Sequence, residues 1–204
     1  MLRVLMITRD SNFNHEVALV VCLCYTESMK NKGYIHVYTG NGKGKTTAAL
    51  GLALRAAGWG KKTYIAQFMK KTQYGELISI GKHLKDLITI EQFGVPEFHH
   101  TGNKVSAEEK NAAMQGIKAV QKAIADEKYR IIILDEANIL AYFKIIDIQY
   151  LLDIMDNKPG NLELILTGRG APRQFIDRAD LVTEMKEIKH YFTKNVTARP
   201  GIER

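Results

Sequence analysis

The sequence predicts an α/β domain with a mostly parallel central sheet and helices on both faces. Three observations support this. Short β-branched or aromatic runs alternate with longer Ala- and Leu-rich segments, the pattern of strand–helix–strand units. Residues 130–134 (RIIIL) form an uninterrupted apolar run, as expected of a strand buried on both sides. A glycine-rich turn joins the first strand to the first helix.

The elements follow in order from residue 34. Residues 34–38 (YIHVY) are β-branched and aromatic and read as a strand; residues 46–57 (TTAALGLALRAA) read as a strong helix ending near Gly58. Residues 63–68 (TYIAQF) form the next strand, and a short helix over 76–84 leads to a strand over 87–93. Residues 106–126 form a long helix opening with SAEE, where Ser106 and Glu109 have the spacing of a capping box. After the 130–134 strand, a helix over 146–155 stops before Lys158-Pro159-Gly160. Residues 162–166 (LELIL) form a strand, 172–178 a short helix and 181–188 a final strand.

Residues 1–29 do not share this order. They read as an N-terminal extension or arm, and MKNKGYIHVYTG from Met29 is a plausible natural start. Residues 30–204 read as a single domain. The apolar stretch 17–25 (VALVVCLCY) is far short of the roughly 20 residues of a membrane span. Cys22 and Cys24 are the only cysteines, so there is neither a disulfide framework nor a zinc-finger pattern. The composition suits a soluble cytoplasmic protein. A net charge of +7 favours anionic ligands, but no block of five like charges marks a nucleic-acid footprint. No nucleic-acid or membrane partner is expected.

The stretch Gly40-Asn41-Gly42-Lys43-Gly44-Lys45-Thr46-Thr47 carries the chemistry. It sits between a strand and a helix, the context a phosphate-binding P-loop requires. Glycines let successive backbone N–H groups converge on phosphate oxygens, and the helix start adds unpaired N–H groups and the positive end of its dipole. Lys45 supplies a charge to the phosphates, and the Thr46 hydroxyl can ligate Mg²⁺. The loop is a short variant: Thr39 stands where the general pattern places its first glycine. Asp135-Glu136 closes the 130–134 strand, where such a loop finds its acidic partner. Asp135 can hold Mg²⁺ directly or through water, and Glu136 can ligate metal or act as a base. Asp135 can also serve as the N-cap of a following helix. Loop and acid together predict a RecA-like P-loop NTPase fold.

Beyond nucleotide binding, the sequence speaks through resemblance. TGNGKGKTTAALGLALRAAGWGKK, YIAQFMK with Tyr74-Gly75-Glu76, ILDEAN, LTGRGAP, DLVTEMKEIKHYF and the terminal ARPGIE occur in this order over about residues 33–204. This combination resembles the ATP:corrinoid adenosyltransferases of the CobA/BtuR type. The resemblance implies transfer of the 5′-deoxyadenosyl group of ATP to the Co(I) of a reduced corrinoid, cobalamin or cobyrinic acid a,c-diamide, with release of triphosphate. It also implies Mg²⁺, a flavoprotein reductant and a homodimer. Residues 39–47, with Lys45 and Thr46 foremost, are then the triphosphate cradle. Arg169 in TGRGAP is either a phosphate contact at a strand end or a surface arginine in a turn. Family members place an aromatic pair against the corrin ring after the third strand. Here residues 93–104 (FGVPEFHHTGNK) offer Phe98, with His99 and His100 beside it and no nearby Trp. Phe98 is the corrin contact the resemblance implies, or else a core residue; Phe93 and Trp59 read as core. Two other functions use the same features: a RecA-like ATPase with Glu136 activating water, and a non-catalytic nucleotide- or corrinoid-binding module.

Overall fold

The computed structural model describes residues 32–95 and 105–204. Gly33–Arg204 form one compact unit. Six strands, β1 (Ile35–Thr39), β2 (Thr63–Phe68), β3 (Ile88–Phe93), β4 (Ile131–Asp135), β5 (Glu163–Thr167) and β6 (Leu181–Glu184), build a single sheet in the order β3-β2-β4-β5-β1-β6. Every pairing is parallel. The expected α/β architecture with a parallel central sheet is therefore present, and the carboxyl ends of all strands lie along one edge. In open parallel sheets that edge is where ligands bind.

Alternation along the strands sends side chains to two cores. In β4, Ile131 and Ile133 face one layer while Ile132 and Leu134 face the other. The first layer holds helices α1 (Lys45–Ala57) and α2 (Gly75–His83); the second holds α3 (Ala107–Ala125), α4 (Ala137–Tyr142), α5 (Gln149–Asp156) and α6 (Arg173–Arg178). Ala49, Ala53, Ala56 and Ala57 line the buried face of α1, and these small side chains let it lie close to the sheet. Leu134 is fully buried, so truncation to Ala costs about 2–5 kcal/mol.

The capping box of α3 forms as its sequence predicts. Ser106 Oγ accepts from the Glu109 amide at 3.1 Å, and Glu109 Oε2 accepts from the Ser106 amide at 2.7 Å. Four expectations need correction. The last strand stops at Glu184 rather than 188, because its partner β1 ends at Thr39 and the next residue, Met185, bonds to the turning chain instead. The helix expected from 146 starts at Gln149, whose amide donates to Asp147 Oδ1. Helix α4, directly after β4, was not expected. Trp59 is 83% exposed and is not a core residue; Phe93 does pack into the core, with its ring centroid 6.1 Å from that of Phe68. No helix among the described residues is long and apolar enough to cross a membrane.

Candidate functional site

The loop between β1 and α1 is held from outside by the chain that leaves β6. Met185 N donates to Thr39 O at 2.8 Å, and Gly42 N donates to Met185 O at 2.7 Å. This clasp explains two of the glycines. Gly40 has φ 95°, and a Cβ there would lie 2.4 Å from Met185 O; one on Gly42 would lie 2.7 Å from the same oxygen. Side chains at either position would push the loop off its brace.

Lys45 opens α1 and is 8% exposed. Its ammonium donates to the carbonyls of Gly40 and Gly42, both at 2.7 Å, which ties the loop into a ring and leaves one N–H to spare. Burial pulls its pKa below the ordinary lysine value, Glu136 and Asp135 oppose this, and Arg169 adds to it. An arriving phosphate therefore offers Lys45 the counter-charge its surroundings supply only in part.

Thr46 Oγ1 donates to Asp135 Oδ1 at 2.8 Å. Asp135, 1% exposed, receives three further hydrogen bonds: Thr167 Oγ1 at 2.7 Å on Oδ1, and Lys70 Nζ at 2.7 Å with Gln67 Nε2 at 3.3 Å on Oδ2. It is not the N-cap of α4. Glu136 takes that position with φ 64°, no side-chain cap bond forms, and its amide donates to Thr167 Oγ1 at 3.0 Å. The reversal at Glu136 separates the two acids: Asp135 stays buried against the loop while Glu136 lines the cavity. Burial and the neighbouring Asp135 raise the Glu136 pKa, with Lys70, Lys45 and Arg169 pulling the other way.

Lys70 closes the YIAQFMK motif, but a lysine after a strand carries no special signal of its own role. Met69, at φ 58°, turns the chain at the end of β2, and the ammonium that follows reaches Asp135 and the cavity. Burial works against its charge, yet Asp135, aided by Glu136 and Glu76, outweighs burial and raises its pKa. Met69 and Glu136 thus put two non-glycine residues in the left-handed region at neighbouring strand ends, a strain typical of functional sites.

Arg169 lies between Gly168 (φ 130°) and Gly170 (φ 62°) and lines the same cavity. The turn is anchored by Asn138, whose side-chain amide donates to Gly168 O at 2.8 Å and to Tyr38 O at 3.2 Å. Tyr142 packs against Gly170 so closely that a Cβ there would meet its ring at 2.5 Å. Asn138 closes the ILDEAN motif without a role of its own in the sequence reading, and Tyr142 carries no sequence signal; the available clue was an Asn following an acidic pair.

The cavity has a volume of about 600 Å³ and is bounded by residues 41–47, Glu136 and Arg169. Lys43, Lys45, Lys70, Arg169 and Arg204 bring positive charge to it against Glu76, Glu136 and Glu203, a balance that suits a polyphosphate. Thr39 and Gly40 stand behind it, where Thr39 Oγ1 accepts from the Ala171 amide at 3.2 Å. Phe98, His99 and His100 lie outside the described residues. Among the described residues no group of three or more His, Cys, Asp or Glu side chains is arranged to hold a metal.

A parallel α/β sheet with a braced P-loop, a buried acid bonded to its threonine and a cationic cavity defines a P-loop nucleotide-binding protein. The family model for ATP:corrinoid adenosyltransferase BtuR/CobO/CobP matches residues 31–204, and the chain belongs to this family. It is 34% identical over 179 residues to the corrinoid adenosyltransferase CobA of Salmonella typhimurium, covering 87% of this chain and 88% of that protein. The corrinoid adenosyltransferase of Escherichia coli K12 is 33% identical over 179 residues, with the same coverage. Among solved structures, the KaiC-like protein PH0186 of Pyrococcus horikoshii is 18% identical, with 75% of this chain and 73% of that chain covered and a TM-score of 0.47.

Proposed function

We propose that this protein transfers the 5′-deoxyadenosyl group of ATP to the Co(I) of a corrinoid and releases triphosphate. Family membership supports the reaction, and one observation carries the assignment of residues. Lys45 at the start of α1, Lys70 after β2 and Arg169 after β5 converge on the cavity that Thr46, bonded to Asp135, also lines.

The chemistry explains why this set suffices. The cobalt electron pair forms a bond to the ribose C5′, and the C5′–O bond breaks with its electrons passing to the triphosphate. The nucleophile belongs to the substrate, so the protein needs no activated Ser or Cys. Its task is to stabilise charge developing on the leaving group, which preorganised cations and loop amides do best where water is restricted. Lys45 and the loop amides hold the phosphates; Lys70 and Arg169 add charge from the β2 and β5 sides.

Mg²⁺ fits these residues. The Thr46 hydroxyl gives its proton to Asp135 and keeps its lone pairs, while Asp135, whose oxygens already take four donors, would reach the ion through metal-bound water that replaces one of them. A small ligand set completed by phosphate is usual for this ion. Thr46, Asp135 and Glu136 would hold it, and bound Mg²⁺ would neutralise triphosphate charge. The acceptor is assigned as cob(I)alamin or cob(I)yrinic acid a,c-diamide, with Phe98 against the corrin. A flavoprotein reductant, a homodimer and a cytoplasmic location complete the proposal on family grounds.

The test is anaerobic incubation with ATP, Mg²⁺ and Co(I) corrinoid, following the corrinoid spectrum and the phosphate product. Adenosylcorrinoid and intact triphosphate in equal amounts are expected. Corrinoid-independent formation of ADP and phosphate would instead establish an ATPase.

A further inference from the structure

The C-terminal residues come back to the P-loop. After the short 3₁₀ turn Tyr191–Lys194, the chain reverses at Asn195 (φ 60°) and ends in a compact turn. There the Arg199 carbonyl receives the amides of Ile202, Glu203 and Arg204 at 3.0–3.3 Å. Side chains reinforce it. The Arg199 guanidinium binds both Glu203 oxygens, from Nε at 3.2 Å and Nη2 at 3.1 Å, and lies 5.1 Å from the Tyr191 ring centroid. The Tyr191 hydroxyl also donates to Glu203, and the Arg199 amide donates to Glu203 Oε2 at 2.9 Å. Glu203 is thus the hub; its carboxyl is held down to about 2, first by the Arg199 hydrogen bonds and then by Tyr191.

Two features tie this turn to the nucleotide site. Lys43 Nζ, inside the P-loop, donates to Ile202 O at 3.2 Å. Residues 201–204 form one wall of the cavity whose other wall is the loop. A network of this density at an otherwise exposed chain end has no core to support: none of residues 199–204 is buried. Its structural product is the position of that wall.

We propose that residues 199–204 form a latch over the nucleotide pocket, with Glu203 as the positioning residue that sets ATP affinity through the Arg199–Glu203–Tyr191 clasp. The latch acts on binding rather than on the transfer step. The Glu203 oxygens are engaged by Arg199 and Tyr191, while Lys43 and Arg204 bring the charge that meets the polyphosphate. The proposal rests on reading the pocket as an ATP site, so the two are tested apart.

Binding of Mg²⁺-ATP is measured by titration calorimetry without corrinoid. Two variants are compared with wild type: Glu203→Ala, and a chain ending at Ala198. Because residues 199–204 contribute nothing buried, both variants keep the sheet and its core, which thermal melting verifies. A rise in Kd of about tenfold is expected in each. In the transfer assay of Glu203→Ala, which keeps Lys43 and Arg204, KM for ATP is expected to rise in parallel, with kcat at saturating ATP within about twofold of wild type. Unchanged ATP affinity in both variants, or a loss confined to kcat, overturns the latch. A wild-type protein that binds no Mg²⁺-ATP overturns the nucleotide reading on which it stands.

Discussion

The Thr46 hydroxyl and the Asp135 carboxylate meet at 2.8 Å, although Thr46 lies in the first turn of α1, Asp135 ends β4, and β5 lies between β4 and the strand that leads to α1. This contact sets the phosphate loop against the acid before any ligand arrives. It also makes Asp135 the centre of a buried network that includes Lys70.

Removing Asp135 should therefore act on stability as well as on function. Asp135→Ala leaves the Lys70 ammonium without its ion-pair partner, and breaking a buried pair from one side costs about 3–5 kcal/mol. Urea unfolding of Asp135→Ala and Lys70→Ala measures this. Asp135→Ala should lose more than Lys70→Ala, because Asp135 holds three other donors besides the lysine.

Lys45→Ala tests the cradle. Loss of one preorganised charge-stabilising donor typically lowers kcat by about 10²–10³, and steady-state kinetics of adenosyl transfer should show a loss of that order. A variant with undiminished turnover would take the triphosphate assignment away from this loop.

Gly40→Ala places a methyl group 2.4 Å from Met185 O at a residue with φ 95°. Backbone strain of this kind costs about 1–3 kcal/mol, and the contact forces the loop from its clasp. A lowered melting temperature together with weakened ATP binding is expected. Gly51→Ala, where nothing lies within 4 Å of the added Cβ, is the control and should leave both intact.

Glu136 gives a pH signature. Its folded pKa is raised, so the native state favours the protonated form. The ionised form is the costly one, and the fold loses stability as pH rises from the ordinary carboxylate value through the raised one. Glu136→Gln should match wild-type stability at acidic pH and exceed it at neutral pH. Denaturant midpoints across pH 4–8 should diverge upward; parallel curves would show that Glu136 is not under this strain.

The parallel sheet was legible because β-branched runs such as IIIL and helix formers such as TTAALGLALRAA carry their period locally. The loop and its acid were legible because phosphate chemistry demands those residue types in that order. What escaped depends on contacts between distant segments. The extent of β6 is set by where β1 turns, and the role of Lys70 by the backbone reversal at Met69. Asn138 acquires meaning only once Gly168 and Tyr38 are beside it. The clasp made by Met185 uses backbone atoms alone, so its own side chain advertises nothing.

That clasp has a thermodynamic corollary. A glycine-rich loop free in solution would surrender much conformational entropy on gripping an anion, weakening the grip. Here the loop is already constrained by two main-chain hydrogen bonds from beyond the sheet edge, so its ordering accompanies folding and the affinity for the ligand is spared that loss.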